Sequence, residues 1–370
     1  MQPLPDETVR GDGVVLRPPR AGDAADLVDA CADPLIERFV PSLPSPCGDA
    51  EAVAWIAAAA GRPELVIADP DTDRLLGGCR LYHLSTLDRT AELGYWVAAP
   101  ARGWGLATAA ARALTDFAFR HGLGRLEILT RPDNPASQRV ALAAGYRFEG
   151  RRRGVEYARD GGRYDLVAFA RLATDPPGPA PRAVPDLPGG RLTDGVVELR
   201  PLGPADTADM VAQAALPEVA ASTVGAAARD VARMCAEAAG EWLAGDAARL
   251  TVRDAASGAF AGSIGLFKFE PPVAQAMTGY DLAPAWRGRG YATRAVRLLT
   301  GWAFAHAGLA RIIAGTAPEN LASQRVLERA GFRREGYQRS ALPGPAGTRI
   351  DDILYALLPG DLSPTRTPPR

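Results

Sequence analysis

Lysine is nearly missing from this chain: Lys268 is the only one among 42 basic side chains, and the rest are arginine. The bias reads as GC-rich bacterial coding and carries no mechanism. Cysteine and histidine are scarce as well. Cys31, Cys47, Cys79 and Cys235 stand far apart without a CxxC pair, and His83, His121 and His306 are the only imidazoles. That spacing argues against structural zinc, so no metal is expected, and against a disulfide framework in a chain this long. An excess of charge is lacking too. The 42 basic and 43 acidic side chains leave a net charge of −1, where a nucleic-acid binder would show a basic excess. The longest apolar run, Ala52 to Ala60, is too short to span a bilayer. Met1 to Arg10 lacks the charged-then-apolar order of a signal peptide. The expectation is a soluble cytoplasmic protein that partners neither nucleic acid nor membrane.

What the chain does have is repetition. A length of 370 residues suggests two or three domains, and 47% apolar content is ample for their cores. Val14-Val15-Leu16-Arg17-Pro18 followed by Asp23 returns as Val197-Glu198-Leu199-Arg200-Pro201 followed by Asp206. Gly94-Tyr95 through Thr108 returns as Gly279-Tyr280 through Thr293. Asn134-Pro135-Ala136-Ser137 returns as Asn320-Leu321-Ala322-Ser323. The offsets drift only from 183 to 186, so the chain reads as two copies of one domain. The copies are placed at 1–173 and 191–362, with a joint at 174–190 and a tail at 363–370. Pro176, Pro177, Pro179, Pro181, Pro185 and Pro188 make the joint a semi-rigid linker, because dense proline prefers extended polyproline II. The Pro/Thr/Arg tail reads as frayed.

Both copies follow one coarse order. A strand, Val14–Arg17, leads to a helix with Asp23 as its N-cap. Alanine-rich helices are predicted at 50–60 and 226–244, and strands at 64–68, 75–83, 249–253 and 261–269. A strand then ends in a glycine loop that opens a helix, at 107–120 and again at 292–305. A buried strand, a helix opened by Asn-x-x-Ser and a strand pair close each copy. The fold class is α/β (α+β), a central sheet flanked by helices.

The glycine loop carries the chemistry. In Val97 to Ala107 the strand turns through Gly103 and Gly105 and enters a helix directly. Glycines let backbone amides face inward, and the helix start adds partial positive charge, so the turn is an anion cradle. A dinucleotide fingerprint would need glycine where Thr108 and Thr293 stand, and a phosphate-binding P-loop would need a lysine that neither copy has.

Arg-x-x-Gly-x-Ala at Arg102–Ala107 and Arg287–Ala292 resembles the acyl-CoA pyrophosphate loop of the GCN5-related N-acetyltransferases, the GNAT superfamily. The stretch Asn134-x-x-Ser137…Ala144-Gly145…Glu149-Gly150 is similar to the ribosomal-protein alanine acetyltransferase branch, as is Asn320-x-x-Ser323…Ala330-Gly331…Glu335-Gly336. The resemblance implies two tandem GNAT-like domains, each with a mixed, mostly antiparallel sheet. It implies acetyl-CoA, or another acyl-CoA, as co-substrate, held by Arg102, Gly103, Gly105, Ala107, Thr108 and Asn134. The second copy's set would be Arg287, Gly288, Arg289, Gly290, Ala292, Thr293 and Asn320. Val97 and Leu282 take the position whose amide stabilises the oxyanion, and Ser137 and Ser323 fall near the CoA sulfur. A helix-start cap is the alternative reading of those serines.

The copies differ where the acceptor's proton must go. The resemblance makes Glu92 the base, directly or through water; the aligned residue is Met277, which cannot accept a proton. Strand parity puts Asp281 on the same face as Met277, as a substitute carboxylate. Conversely, Arg289 adds a cation where the first copy has Trp104. The first copy is expected to catalyse and both to bind acyl-CoA. The reaction implied is acetyl transfer to a primary amine, small molecule or peptide N-terminus, by direct attack in a ternary complex. The rivals are a longer or carrier-protein-bound acyl donor in peptide natural-product tailoring, and a non-catalytic acyl-CoA-binding scaffold. Oligomeric state stays open, with a pseudo-dimer inside one chain as one arrangement. Arg151-Arg152-Arg153 is read as a solvated turn, and His121 and His306 as helix C-terminal caps. Trp55, Trp96, Trp242 and Trp302 are read as core or groove wall.

Overall fold

The computed structural model of the chain describes residues 8–220, 230–344 and 348–362, with Glu218 and Ala220 described by backbone alone. The expected tail, the first seven residues and the start of the helix expected at 226 lie outside the described residues. The chain divides into two units, Met1–Pro181 and Arg182–Arg370.

The first unit runs β1 (Val9–Gly11), β2 (Val14–Arg17), α1 (Ala24–Cys31), α2 (Pro34–Phe39), α3 (Asp49–Ala59), β3 (Glu64–Ala68), β4 (Leu75–Ser85) and β5 (Thr90–Val97). It continues with α4 (Leu106–Arg120), β6 (Arg125–Thr130), α5 (Pro135–Ala143), β7 (Arg147–Tyr157) and β8 (Arg163–Leu172). Its sheet has the order β1-β2-β3-β4-β5-β6-β8-β7. Every pair is antiparallel except β5 with β6.

The second unit repeats this plan. Its elements are β9 (Leu192–Thr193), β10 (Val197–Pro201), α6 (Thr207–Ala214), α7 (Pro217–Ala220), α8 (Val231–Ala244), β11 (Ala247–Asp254), β12 (Phe260–Glu270) and β13 (Gln275–Leu282). Then follow α9 (Tyr291–His306), β14 (Arg311–Thr316), α10 (Leu321–Ala330), β15 (Arg333–Pro343) and β16 (Arg349–Leu357). Its order, β9-β10-β11-β12-β13-β14-β16-β15, is the same order with one parallel pair, β13 with β14. Two mixed sheets flanked by helices are therefore what the repeats encode.

The central helix shows why. Ala110, Ala113, Leu114 and Phe117 of α4 are buried, a period of three and four that lays one stripe on the sheet. Small residues let helix and sheet approach closely: a Cβ on Gly11 would come within 2.8 Å of the Ala113 methyl. In α9, Ala292, Ala295, Val296, Leu299, Trp302 and Ala303 bury the matching stripe.

Several local expectations change. Asp23 stands at the N-cap of α1 but makes no side-chain cap hydrogen bond. Its carboxylate instead accepts both terminal nitrogens of buried Arg17, at 2.9 and 2.8 Å, and the Arg20 amide at 2.7 Å. A buried guanidinium needs that partner more than a helix amide does. Arg151–Arg153 form no turn; they belong to β7, where Arg152 pairs with Glu127 at 2.6 Å. A mostly exposed outer strand shows no apolar alternation, so its letters look like a loop. Cys31 and Cys47, distant in sequence, meet at the end of α1, and burial together with the Cys47 thiol pushes Cys31 up to about 12. All four cysteines are free thiols. The proline-rich stretch packs onto the units it joins. Ala180 donates to the Leu142 carbonyl in the first, while Val184 and Leu187 enter the core of the second. Among the described residues, no helix is long and apolar enough to cross a membrane.

Candidate functional site

β5 and β6 pair only at Thr90–Arg125, Ala91–Leu126 and Glu92–Glu127, then separate. The splay exposes one edge of β5. Ala98 donates to the Leu76 carbonyl at 2.9 Å, so by the alternation of an antiparallel ladder the amide and carbonyl of Val97 point away from β4, into the splay. The carbonyl is taken there: Arg102 Nε donates to it at 3.1 Å, and the same guanidinium pairs with Asp33. Arg102 thus braces the loop against the strand end while still lining the cavity. Beyond it, Gly103 and Gly105 take φ 83° and 81°, a region costly for residues with a Cβ. Gly105 is the N-cap of α4 and offers no side-chain cap, so the first-turn amides of Leu106, Ala107 and Thr108 remain donors for an anion.

At the start of α5 the Asn134 side-chain oxygen Oδ1 accepts the Ser137 amide at 3.2 Å. Asn134 is therefore the cap and Ser137 is not, and only the Asn134 NH2 group is left for a ligand. The Ser137 hydroxyl lies 3.0 Å from the Tyr95 hydroxyl, which also donates to the Ser137 carbonyl at 2.9 Å. Burial pushes the Tyr95 phenol far above its usual range, so it stays protonated, a donor.

The other half of the site lies on the opposite face of β5. Glu92 is 9% exposed. One carboxylate oxygen accepts the Tyr82 hydroxyl, and the other lies 3.0 Å from His83 Nδ1. Burial and Glu92 hold the Tyr82 phenol well above its ordinary value. Across the ladder Glu64 sits opposite Arg80 and Arg80 opposite Gly94, so these side chains share the Glu92 face. Burial raises the Glu64 carboxyl although Arg80 stands 3.4 Å away. Buried Arg131 is held by Glu156 at 2.8 and 3.0 Å and stacks on Tyr164 at 3.9 Å.

The two halves open into one cavity of about 580 Å³. It is lined by Glu92, Val97, Arg102, Gly103, Gly105, Ala107, Thr108, Asn134 and Ser137 together, with Leu35, Ile36, Phe39 and Trp96 as apolar wall. Residues 14–147 and 197–333 match the acetyltransferase (GNAT) domain family.

The chain belongs to the GNAT acetyltransferase family.

Among curated proteins it is 44% identical over 101 residues to the probable N-acetyltransferase YjcK of Bacillus subtilis, covering 27% of this chain. It is 36% identical over 102 residues to the ribosomal-protein-serine acetyltransferase of Escherichia coli, again 27% of this chain. In each case the match spans 56% of the relative's own length. The solved ribosomal-protein-S5-alanine acetyltransferase of Vibrio fischeri aligns at 22% identity and a TM-score of 0.42, over 47% of this chain and 99% of that one.

The second GNAT copy keeps the donor parts. β13 and β14 separate after Met277–Ile313. The Leu282 carbonyl accepts Arg287 Nε at 3.0 Å, Gly288 and Gly290 take φ 73° and 81°, and Tyr280 lies 3.0 Å from the Ser323 hydroxyl. Asn320 caps α10 through Ser323 at 3.0 Å. Arg289 stacks over Trp286 at 5.4 Å, and Trp286 lies 5.0 Å from Tyr291. Among the described residues, the surroundings of Glu92 do not recur. Met277 faces Phe267 where Glu92 faces Tyr82. Asp281 is a strut: one of its oxygens accepts Gln213 at 2.6 Å, the Ser263 hydroxyl at 2.9 Å and the Ser263 amide at 3.1 Å. A second cavity, lined by Arg297, Trp302, His306 and Arg329, lies elsewhere and includes none of the residues expected to hold the cofactor or do the chemistry. Tyr82, Tyr95, His83, Glu64, Arg80 and Arg131 escaped the sequence reading. Tyr95 alone left a signal, because it repeats as Tyr280.

Proposed function

We propose that the first unit is an N-acyltransferase that moves an acetyl group from acetyl-CoA to a primary amine by direct attack in a ternary complex. The observation that carries this reading is the single cavity joining the unpaired start of α4, the inward-facing Val97 amide and buried Glu92. The first-turn amides of α4 hold the CoA pyrophosphate, and the Val97 amide steadies the oxyanion that forms when the amine adds to the thioester. Ser137, next to Tyr95, faces the departing thiolate and relays to it one of the two protons that the amine nitrogen loses, so that its own hydroxyl ends as it began.

Distance decides how Glu92 acts. Five residues of strand at about 3.3 Å each put about 16 Å between Glu92 and Val97, beyond the reach of a glutamate side chain. Glu92 therefore takes the amine's proton through water. The second unit, with Met277 in that place, binds acyl-CoA without transferring the acyl group. Free thiols on all four cysteines suit a cytoplasmic setting, and the amine may sit on a small molecule or a peptide N-terminus without change to this chemistry.

Thiol release from acetyl-CoA with a panel of amines tests the reading. Glu92→Gln should lower turnover by about 100-fold or more, and Asp281→Asn should leave it within about two-fold because the amide oxygen still accepts. The reverse pattern moves the chemistry to the second unit. Tight CoA binding with no release by any amine favours a carrier-bound longer acyl donor or a scaffold.

A further inference from the structure

Transfer to an ammonium ion releases one net proton per turnover. The ammonium and the thioester become an amide, a thiol and H⁺: a C–N bond forms, the C–S bond breaks, and the sulfur keeps one proton. If Glu92 receives the amine's other proton, as the reading above requires, a buried carboxyl must pass it on before the next cycle. Glu92 faces the cavity, which acceptor and CoA fill during the reaction, so the exit must leave by another side.

Two groups touch its carboxylate. The Tyr82 hydroxyl donates to Glu92, its phenol is held up by desolvation and by Glu92 itself, and its side chain lines the same cavity, so it opens no other side. His83 differs on each count. Its Nδ1 lies 3.0 Å from Glu92 Oε2, its side chain is 77% exposed against 11% for Glu92, and it is absent from the cavity wall. One ring nitrogen faces the carboxylate while the ring edge meets water, and imidazole is the side chain that exchanges protons readily near neutral pH. The backbone sets this up. His83 takes φ 51°, in the irregular stretch of the β4–β5 ladder between Tyr82 and Ser85. Lys268 holds the same φ of 51° in the matching irregularity of the second unit, between Phe267 and Glu270. The second unit thus keeps the bend without the imidazole, the tyrosine or the carboxylate.

We propose that His83 is the proton exit of the acceptor site, taking the proton from Glu92 at Nδ1 and releasing one to solvent from Nε2. It acts through Glu92 and does not touch the substrate.

The test is steady-state kinetics on the full chain with His83→Phe and His83→Lys. The lysine variant carries the residue that the second unit holds at this backbone conformation, which guards against misfolding. Both should lower kcat by about 10-fold in a weakly buffering medium while KM for the amine stays within about two-fold. Adding tens of millimolar imidazole should restore most of the kcat of His83→Phe and leave the parent protein unchanged. Unchanged kcat in both variants, or a loss that imidazole does not restore, overturns the proton exit while leaving acyl transfer intact. A parent protein that transfers to no amine overturns the acyltransferase reading, and this role with it.

Discussion

In the first unit Glu92 faces Tyr82 across the β4–β5 ladder, with His83 one residue on; in the second, Met277 faces Phe267 and Lys268 follows. Glu64 and Arg80 pair across β3 and β4, while the corresponding positions across β11 and β12 are Arg249 and Gly265. The backbone of the glycine-loop half diverges far less. The strand splay, the arginine brace, the positive-φ glycines and the Tyr–Ser contact recur with distances matched to a few tenths of an ångström. The backbone geometry of the glycine turn recurs in both copies, while among the described residues the Glu92–Tyr82–His83 set occurs in the first alone.

The largest expected difference between the units lies at their first strands. Removing Asp23 leaves Arg17, whose side chain is only 3% exposed, with Asp73 at 2.7 Å from its Nε as the remaining carboxylate, and Asp23→Ala should cost about 3 kcal/mol. Asp206 serves Arg253, whose side chain is 16% exposed and which has Asp209 at 3.3 Å as a second partner. Asp206→Ala should therefore cost about 2 kcal/mol. Urea unfolding of the two variants measures this, and equal losses would erase the contrast.

The tyrosines sharpen the comparison at smaller scale. Tyr95→Phe and Tyr280→Phe each remove a hydroxyl that serves a serine on a helix, and each should cost about 1 kcal/mol of stability. Only Tyr95→Phe should slow thiol release, by about 10-fold. A Tyr280→Phe enzyme that is equally slowed would mean that the second copy takes part in turnover.

The smallest effect is electrostatic. Burial raises the folded-state value of Glu64 above its unfolded one, so its contribution is full below about pH 4 and fades as pH rises through the raised value. Glu64→Gln removes that dependence. Between pH 4 and 8 the parent should lose thermal stability relative to the variant. A difference in Tm that stays constant with pH would show that Arg80 compensates the charge fully.

Much of this was legible in the letters. The repeat offsets, the glycine loop before a helix and the strand pattern led to two sheets of one plan. Helix α4 begins within one residue of its expected start and ends at its expected end. What escaped were partners. Val-x-Leu-Arg-Pro…Asp reads alike in both copies, yet Arg17 is buried on Asp23 while Arg200 stays half exposed on Glu198 and Arg253 takes Asp206. The Arg151–Arg153 run hid a strand because an outer strand buries too little to show a period. His83 and Tyr82 carried no signal, since only the pairing register of β4 with β5 brings them to Glu92.

By itself the sequence determined the duplication, the family plan of each copy and the anion-binding loops, because these rest on local periodicity, glycine backbone freedom and spacing along one chain. Tertiary structure decided which side chains meet around Glu92. That meeting depends on side chains from α2, β3, β4, β5, β6 and β7 converging on one cavity, and their separations in space are set by strand pairing rather than by their order in the chain.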